Sequence, residues 1–371
     1  MKHLSEILNI LDGALNSKPT KVNSYAQFLA EKLQSSGEAK AAARIRRVLK
    51  KAQENQLSPS SLSQLTHVPV DGDSRMSLAD EELYGLDEVT IFLEPNTIKL
   101  VERFLAHIAA ADVLVAEGVG LSPSMLVYGP PGCGKTQLGR YISARLGLPL
   151  LTARTDGLIS SYLGTTAKNL RSLFEHAMCR PCVFFLDEFD AIAKLRDDQH
   201  ELGELKRVVV SLLQNIDALD NETILIAATN HDHLLDPAIW RRFAYKVRID
   251  KPGENIRERL FEYFLGDFAA IKNFRLLRDI SDGLNGGAIR QVCEDSKREA
   301  ILSGRRSVSL EDILPHVIGL HPDYKGIAEA PVAEQIPKYR ELAPRLFTFQ
   351  RLARLFGVST SHAHNLCKRK G

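Results

Sequence analysis

The sequence has no apolar run that approaches the roughly 20 residues needed to cross a membrane as a helix. It also has no secretory leader pattern, because Glu6, Asn9 and Asp12 interrupt the apolar residues at its start. We therefore expect a cytoplasmic protein with no membrane partner. Neither sign of charge dominates, since the formal net charge is +2, and this balance argues neither for nor against nucleic acid.

Cysteine is scarce, and the five cysteines are dispersed rather than spaced as a disulfide framework. Cys179 and Cys182 form one CxxC pair, but a structural zinc site needs two further ligands and no second pair follows. We interpret the pair as small residues at a junction between a helix and a strand. The sequence also lacks a GxSxG nucleophile elbow and an HExxH zinc motif, so it predicts no protease in this chain.

The pattern of apolar residues changes along the 371 residues, a length that suits two or three domains. Residues 1–57 have helical periodicity, and a stretch rich in Ser and Pro over 58–79 is predicted to be a linker. From 80 to 252, short runs rich in Val, Ile, Leu and Phe alternate with amphipathic segments, which predicts βαβ units around a buried parallel sheet. We predict strands at 125–129, 148–153, 182–187, 223–230 and 245–250.

A glycine-rich segment, GPPGCGKT, follows the first of these strands and precedes a helix, which is the context of a phosphate-binding P-loop. Its glycines let backbone N–H groups wrap a phosphate, while Lys135 brings charge to the β- and γ-phosphates and Thr136 offers a hydroxyl to Mg²⁺. The positive start of the next helix faces the same anion. The predicted nucleotide-binding residues here are Pro130, Pro131, Gly132, Cys133, Gly134, Lys135, Thr136 and Gln137.

Two further predicted strands end in polar residues at the edge of the sheet where the P-loop lies. One ends in Asp187, which we expect to hold Mg²⁺, and in Glu188, which we expect to act as general base on the attacking water. Another ends in Asn230, which would orient that water. The predicted fold class is α/β: a P-loop parallel-sheet core preceded by a helical segment and followed by a helical lid over 253–320 and a helical tail over 321–371.

The ordered motifs GPPGCGKT, FFLDEFDAI, IAATN, LDPAIWRRF and GLNGGAIRQVCEDS resemble those of the AAA family of ATPases, over residues 80–320. The resemblance is to the group that includes katanin, spastin and the ATPase domains of membrane proteases, and more narrowly to small bacterial AAA proteins. It implies ATP and Mg²⁺ as cofactors, ATP hydrolysis, and a homo-hexamer with ATP at the subunit interfaces. It makes Asn230 a nucleotide sensor and makes Arg241 and Arg242 fingers that act on the neighbouring subunit.

Two other segments carry nucleotide contacts in the resemblance. YGLDEV, over 84–89, is similar to the family's segment on the adenine side, which implies a contact from Gly85. The lid motif usually reads Ser-Gly-Ala-Asp, whereas this chain has Asn-Gly-Gly-Ala. Gly286 and Gly287 would still allow the backbone to approach the nucleotide closely.

The segment over 157–174 is similar to the family's first pore loop, an aromatic–hydrophobic–glycine motif before a helix. Here the motif consists of Tyr162, Leu163 and Gly164. The resemblance implies that Tyr162 grips an unfolded polypeptide in the channel of the ring, because an aromatic ring can hold many side chains without sequence preference. The alternative is that Tyr162 packs beside the helix as a structural residue.

The end of the tail, over 345–371, resembles a helix-turn-helix, with Gly357 in the turn and Ser359 as the cap of the second helix. The second helix would expose residues that suit DNA. These residues are His362, Asn365 and Lys368. The alternative is a helical tail that packs on the lid or on a partner.

Together these features favour an ATPase that remodels or threads a protein substrate, with a separate partner protease as a further expectation from the bacterial resemblance. The alternative is a DNA-associated AAA+ ATPase, such as a loader or a transposition or defence helper, which would bind nucleic acid through its tail. A third interpretation is a scaffold that binds ATP without turning it over, and the presence of Glu188 argues against it.

Overall fold

The computed structural model describes residues 3–16, 18–55, 68–72, 75–119, 122–158, 163–193, 204–219, 223–328, 330–342, 344–345 and 347–368. The chain forms an α/β unit and a helical unit. The α/β unit contains Met1–Ile91, Asn96–Gly129 and Lys135–Arg248. The helical unit contains Phe92–Pro95, Pro130–Gly134 and Ile249–Gly371.

The α/β unit contains one six-stranded sheet. The strands are β1 Ala79–Glu82, β2 Ser124–Tyr128, β3 Leu150–Ala153, β4 Val183–Leu186, β5 Ile224–Thr229 and β6 Tyr245–Arg248. Their order is β1-β3-β4-β5-β2-β6, and every neighbouring pair is parallel except β1 with β3. All residues of β4 and β5 are buried, which is why these strands read as unbroken apolar runs rather than as alternating ones. The five parallel strands confirm the predicted α/β fold class.

The antiparallel edge strand β1 was not predicted, because its sequence is polar after Ala79 and its last three residues are exposed. The residues just before it pack on the α/β unit. Leu78 is fully buried, and the Asn169 amide donates a 2.8 Å hydrogen bond to the buried Asp71 carboxylate. The end of the predicted linker over 58–79 is therefore part of a packed structure, while residues 56–67 lie outside the described part of the chain.

Helices precede and connect the strands. They are α1 Leu4–Leu15, α2 Pro19–Ser35, α3 Ala39–Asn55, α4 Pro95–Ala109, α5 Ala111–Ala116, α6 Lys135–Leu146, α7 Thr155–Leu158, α8 Leu163–Met178, α9 Phe189–Ala193, α10 Glu204–Asp217 and α11 Pro237–Trp240. The first three pack together around Leu29, Ala30 and Ala42. In the main core, Phe174 of α8 meets Phe184 of β4 edge to face, with ring centroids 5.0 Å apart.

The helical unit consists of eight described helices. They are α12 Glu254–Leu265, α13 Arg275–Ile280, α14 Gly286–Leu302, α15 Leu310–Leu320, α16 Pro322–Ala328, α17 Val332–Leu342, α18 Phe349–Leu355 and α19 Thr360–Lys368. One hydrophobic core extends from Ile256 to Ala363, so the segments predicted as lid and tail share a core. Within the described part of the chain, no helix combines the length and the hydrophobicity that a membrane span needs.

Side-chain caps fix where two helices of this unit begin. The Asn285 carboxamide oxygen accepts a 2.7 Å hydrogen bond from the N–H of Ala288, which starts α14. Ser309 and Asp312 form a reciprocal capping box at the start of α15. Such caps satisfy N–H groups that have no partner within the helix. The Asn285 cap also sets the position of the glycines that follow it.

Candidate functional site

The glycine-rich segment joins β2 to α6 in a tightly turned loop. Gly129, Gly132 and Gly134 have φ angles of 140°, 73° and 97°, which side-chain-bearing residues rarely adopt. Lys135 follows the loop and is only 6% exposed. Its ammonium group donates a 2.7 Å hydrogen bond to the Gly129 carbonyl. The side chain therefore places its positive charge beside the start of the glycine-rich loop.

The next residue connects the loop to the end of β4. The Thr136 hydroxyl donates a 2.7 Å hydrogen bond to Asp187 Oδ2. Thr136 lies in the first turn of α6, and Asp187 directly follows β4, so parallel strands bring the two oxygens to one edge of the sheet. The structure thus joins two predicted site residues that are distant in the sequence.

Glu188 is exposed at the same strand end and has a φ angle of 48°, in the left-handed region. Its N–H donates a 2.9 Å hydrogen bond to Asp187 Oδ1, which uses the carboxylate oxygen not engaged by Thr136. A left-handed residue without glycine's freedom is uncommon and costs backbone energy. This turn separates the two neighbouring carboxylates, so that Asp187 faces α6 and Glu188 faces solvent.

Asp190 belongs to this region but is not among the predicted site residues. Its Oδ1 accepts a 2.8 Å hydrogen bond from the Thr229 hydroxyl and a 3.3 Å hydrogen bond from the N–H of Asn230. Asp190 lies in α9, which begins directly after Glu188. It therefore ties the end of β5 to the acidic turn and fixes the position of Asn230. The signal in the sequence was the third acidic residue of the DEFD stretch.

The segment over 84–90 lies beside α6. Gln137 donates a 3.3 Å hydrogen bond to the Thr90 carbonyl, and the Arg140 guanidinium lies 5.4 Å from the centre of the Tyr84 ring. These contacts hold Gly85 near the helix that begins at the glycine-rich loop. The predicted adenine-side segment and the predicted phosphate-binding helix are thus neighbours within the α/β unit.

The tip of the loop, Pro130–Gly134, contacts the start of α14 within the helical unit. The Asn285 amide donates a 3.0 Å hydrogen bond to the Pro131 carbonyl, and the N–H of Gly287 donates a 2.9 Å hydrogen bond to the Gly132 carbonyl. A Cβ on Gly132 would lie 2.7 Å from Asn285 Nδ2, so this approach requires glycine. Asn285 is a second residue whose contact with the loop was not predicted.

The two predicted finger arginines differ in their surroundings. Arg242 binds both carboxylate oxygens of Asp217, at 2.6 Å each, and also donates a 2.8 Å hydrogen bond to the Ala238 carbonyl. The hydrogen bonds that Arg242 donates to the Asp217 carboxylate raise the pKa of Arg242. Arg241 is exposed, directly after α11. Arg242 therefore holds its own segment in place, whereas Arg241 faces solvent.

The predicted pore-loop residue Tyr162 lies outside the described residues. Leu163 and Gly164 are the first two residues of α8. Two of the three motif residues therefore lie in the first turn of α8 rather than before it. The contact of the motif with a polypeptide stays a prediction.

Comparisons with known proteins bear on the same residues. Residues 125–251 match the profile of the ATPase family associated with various cellular activities (AAA). An uncharacterized AAA family ATPase of Sinorhizobium fredii is 37% identical over 264 residues, which cover 70% of this chain and 78% of the relative.

Two proteasome-related proteins are also similar. A 26S proteasome subunit of Saccharomyces cerevisiae is 31% identical over 243 residues, which cover 62% of this chain and 53% of that subunit. Proteasome-activating nucleotidase 1 of Haloferax volcanii is 34% identical over 207 residues, which cover 53% of this chain and 51% of the nucleotidase. The similarity therefore spans about half the length of each of these two relatives.

The matched family profile begins in β2 and ends just after β6, so it includes the strands that carry the glycine-rich loop, the acidic turn and Asn230. The similarity to the Sinorhizobium protein extends over more than two thirds of both chains. On these grounds the chain belongs to the AAA family of ATPases, P-loop enzymes that bind and hydrolyse ATP.

Proposed function

We propose that the chain holds Mg²⁺–ATP at the carboxyl edge of its sheet and uses hydrolysis to remodel or thread a polypeptide. The hydrogen bond between Thr136 and Asp187 carries the first part, because it brings a hydroxyl and a carboxylate oxygen together beside the phosphate loop. Mg²⁺ is commonly held by one or two protein oxygens, with phosphates and water completing its shell. Bound there, Mg²⁺ would neutralise charge on the β- and γ-phosphates.

The Thr136 hydroxyl and the Asp187 carboxylate fit Mg²⁺ that is bound together with a nucleotide. They do not form a complete metal site made of protein ligands alone. No cluster of three or more His, Cys, Asp or Glu side chains able to hold a metal occurs among the described residues. Lys135 supplies the fixed positive charge for the phosphates, and its anchor on the Gly129 carbonyl limits where that charge can move. The first turn of α6 adds the partial positive charge of a helix N-terminus, which favours an anion.

Glu188 is the proposed general base. It is exposed, it follows the proposed Mg²⁺ ligand directly, and a carboxylate can accept a proton from the attacking water. Asn230 is the proposed residue that orients this water. Its anchor is Asp190, which holds the backbone of Asn230 and leaves the side-chain amide available for a polar contact. Both roles depend on side chains positioned by the ends of buried strands.

A homo-hexameric ring is part of the proposal, with one arginine completing the site of the next subunit. The exposure of Arg241 supports it as the finger, because a residue acting on a neighbour must reach out of its own chain. Arg242 is bound on both edges of its guanidinium by Asp217 and Ala238. We assign it to positioning the segment that carries Arg241.

The polypeptide substrate is supported by two relatives, whose names describe a 26S proteasome subunit and a proteasome-activating nucleotidase. We infer that this chain also acts on proteins and hands them to a separate partner protease. Tyr162 is the proposed contact with the polypeptide. This part of the proposal rests on similarity and on the motif that overlaps the start of α8, whereas the nucleotide chemistry rests on geometry.

The test measures ATPase rate and unfolding together. Purified protein is given a permanently unfolded model protein, or duplex DNA, and phosphate release is followed. In parallel, unfolding of a tagged fluorescent protein is followed with the wild type and with Glu188→Gln. We expect the unfolded protein to raise the ATPase rate, and we expect only the wild type to unfold the reporter. An ATPase rate that does not respond to unfolded protein, with no unfolding of the reporter, would contradict remodelling.

A further inference from the structure

Three helices at the end of the chain form a small structural group that the ATPase site does not use. Tyr339 of α17 contacts the Phe347 ring at 5.1 Å and stacks on the Phe356 ring at 6.1 Å, measured between ring centroids. Leu352 of α18 and Ala363 of α19 are fully buried in the same core. The third helix that a helix-turn-helix needs for support is therefore present as α17.

The turn between α18 and α19 has a fixed geometry. Gly357 has a φ angle of 63°, and the N–H of Val358 donates a 2.9 Å hydrogen bond back to the Ala353 carbonyl. The Ser359 hydroxyl then accepts a 3.1 Å hydrogen bond from the N–H of His362, which caps α19. A turn closed by glycine and a cap on the next helix hold α19 at a defined angle to α18.

The last helix, α19, has one buried and one exposed face. Ala363, Leu366 and Cys367 pack toward the core. The polar groups of the exposed face are hydroxyl, imidazole, amide and ammonium groups, and its residues are Thr360, Ser361, His362, Asn365 and Lys368. This face has no apolar residue that would favour packing on another protein, and no carboxylate that would repel a phosphate.

The charge of this region stands out in a chain whose net charge is only +2. Residues 345–371 contain no Asp or Glu, and their basic residues are Arg345, Arg351, Arg354, Lys368, Arg369 and Lys370. The Arg354 side chain is 74% exposed, and its nearest carboxylate, that of Glu311, is 3.7 Å away. An exposed pair of this kind is weak and exchanges readily for another anion. Positive charge without nearby acidic residues in the sequence, beside an exposed polar helix, is complementary to a polyanion.

We propose that α19 docks in the major groove of double-stranded DNA. In this arrangement Asn365 and His362 face the base edges, and Lys368 and Arg354 face the phosphates. The major groove of B-form DNA admits one α-helix, and the second helix of a helix-turn-helix enters it while the first crosses the backbone. An asparagine amide can pair with two atoms of adenine. This binding activity goes beyond polypeptide remodelling and does not depend on it.

The test uses the full-length protein and a fluorescein-labelled duplex of about 30 base pairs, roughly three helical turns. Anisotropy is recorded from low to physiological salt. Non-specific binding by such proteins has a Kd of about 10⁻⁴ to 10⁻⁶ M at physiological salt, so we expect a Kd in or below this range. The double variant Asn365→Ala/Lys368→Ala should bind at least about tenfold more weakly, and Lys368→Ala alone should reduce the salt slope by about one.

The matched control is Lys251→Ala/Asn255→Ala, which removes the same two residue types from exposed positions outside α18 and α19. It should bind DNA as the wild type does, and all variants should keep the wild-type melting temperature. Duplex RNA should bind more weakly, because its major groove is too narrow for side chains to read. Absence of binding at low salt, equal loss in the control, or equal affinity for duplex RNA or polyglutamate would overturn the proposal.

Discussion

Thr136 and Asp187 lie 51 positions apart in the chain, and a 2.7 Å hydrogen bond joins their side chains. The bond exists because parallel strands end at a common edge, where the first turn of α6 meets the end of β4. Both oxygens have the chemistry that a Mg²⁺ site requires. We therefore expect this pair to control the Mg²⁺ requirement of the ATPase.

Asp187→Asn should raise the Mg²⁺ concentration that gives half-maximal ATPase activity, because the amide removes the negative charge facing the ion. The measurement is phosphate release across a Mg²⁺ titration, with nucleotide binding in the absence of Mg²⁺ recorded alongside. Asp267→Asn, at an exposed position in the helical unit, is the control and should leave the titration unchanged. An unaltered Mg²⁺ requirement in Asp187→Asn would remove Asp187 from the site.

Glu188→Gln should bind ATP and fail to hydrolyse it, because the amide cannot accept a proton from water. Loss of a general base lowers a rate by about 10²- to 10⁴-fold. The two quantities to compare are the Kd of a fluorescent ATP analogue and the single-turnover rate. Turnover close to that of the wild type would show that another group is the base.

Arg241→Ala and Arg242→Ala should fail in different ways. Arg242→Ala loses the bidentate contact with Asp217, which is partly exposed, so the stability change should be about 1 kcal/mol or less. Arg241→Ala should melt normally and lose turnover, since arginine fingers contribute about 10³- to 10⁵-fold to rate. Thermal melting and ATPase activity, measured on both variants, distinguish the two roles.

Whether Arg241 acts on a neighbouring subunit can be measured separately, by mixing two inactive variants. Arg241→Ala subunits mixed with Lys135→Ala subunits should regain activity, because some mixed interfaces combine an intact pocket with an intact arginine. Formation of mixed assemblies is checked by pull-down of differently tagged subunits. If mixed assemblies form and no activity returns, Arg241 does not act on a neighbour.

Asn285→Ala should weaken nucleotide binding as well as stability. The stability loss is about 1 kcal/mol for a missing helix cap, and the affinity loss follows because the Pro131 carbonyl of the phosphate loop loses its donor. Ser309→Ala is the control, since it removes the cap of α15 without touching the loop. Isothermal titration with ATP should therefore separate the variants. Equal affinities in the two would assign Asn285 to capping alone.

Tyr162→Ala should leave the melting temperature and the basal ATPase rate unchanged and abolish processing of an unfolded protein. The reason is that the aromatic side chain of Tyr162, if it lies in the channel of the hexamer, holds the substrate without contacting phosphate or Mg²⁺. Removing a buried structural aromatic instead costs about 3–5 kcal/mol and lowers the melting temperature. Tyr263→Ala, at an exposed tyrosine of the helical unit, controls for loss of an aromatic ring. Normal processing by Tyr162→Ala would contradict threading through this residue.

The sequence predicted those elements of the fold that depend on the pattern of residues within their own short segment. Strands β2, β3, β4 and β5 are mostly buried apolar runs with turn residues beside them, so their pattern is visible without their partners. Strand β1 has no such pattern, because Ala79 is its only buried residue and its pairing with β3 holds it in place. A polar edge strand of this kind depends on a long-range partner that composition does not reveal.

The candidate site also has features that could be predicted from the sequence and features that could not. The residue types at the loop and at the strand ends followed from the chemistry of phosphate and Mg²⁺. The pairings that position them did not, because each partner is remote in sequence: Arg242 with Asp217 is separated by 25 positions, and Asn285 with Pro131 by 154. The sequence pattern therefore gave no reason to separate Arg241 from Arg242. In the structure they differ because Arg242 binds the Asp217 carboxylate and Arg241 is exposed.

The left-handed backbone of Glu188 places its proposed role as general base in opposition to thermal stability. This conformation costs a side-chain-bearing residue roughly 1–2 kcal/mol, whereas glycine adopts it freely and asparagine tolerates it. Selection for heat resistance alone would therefore favour glycine or asparagine here, and either would lack the carboxylate that we propose as the general base. With Glu188 as the base, a thermostable variant of this enzyme has to gain its stability at other positions, because the most direct local improvement would yield a protein that binds ATP without hydrolysing it.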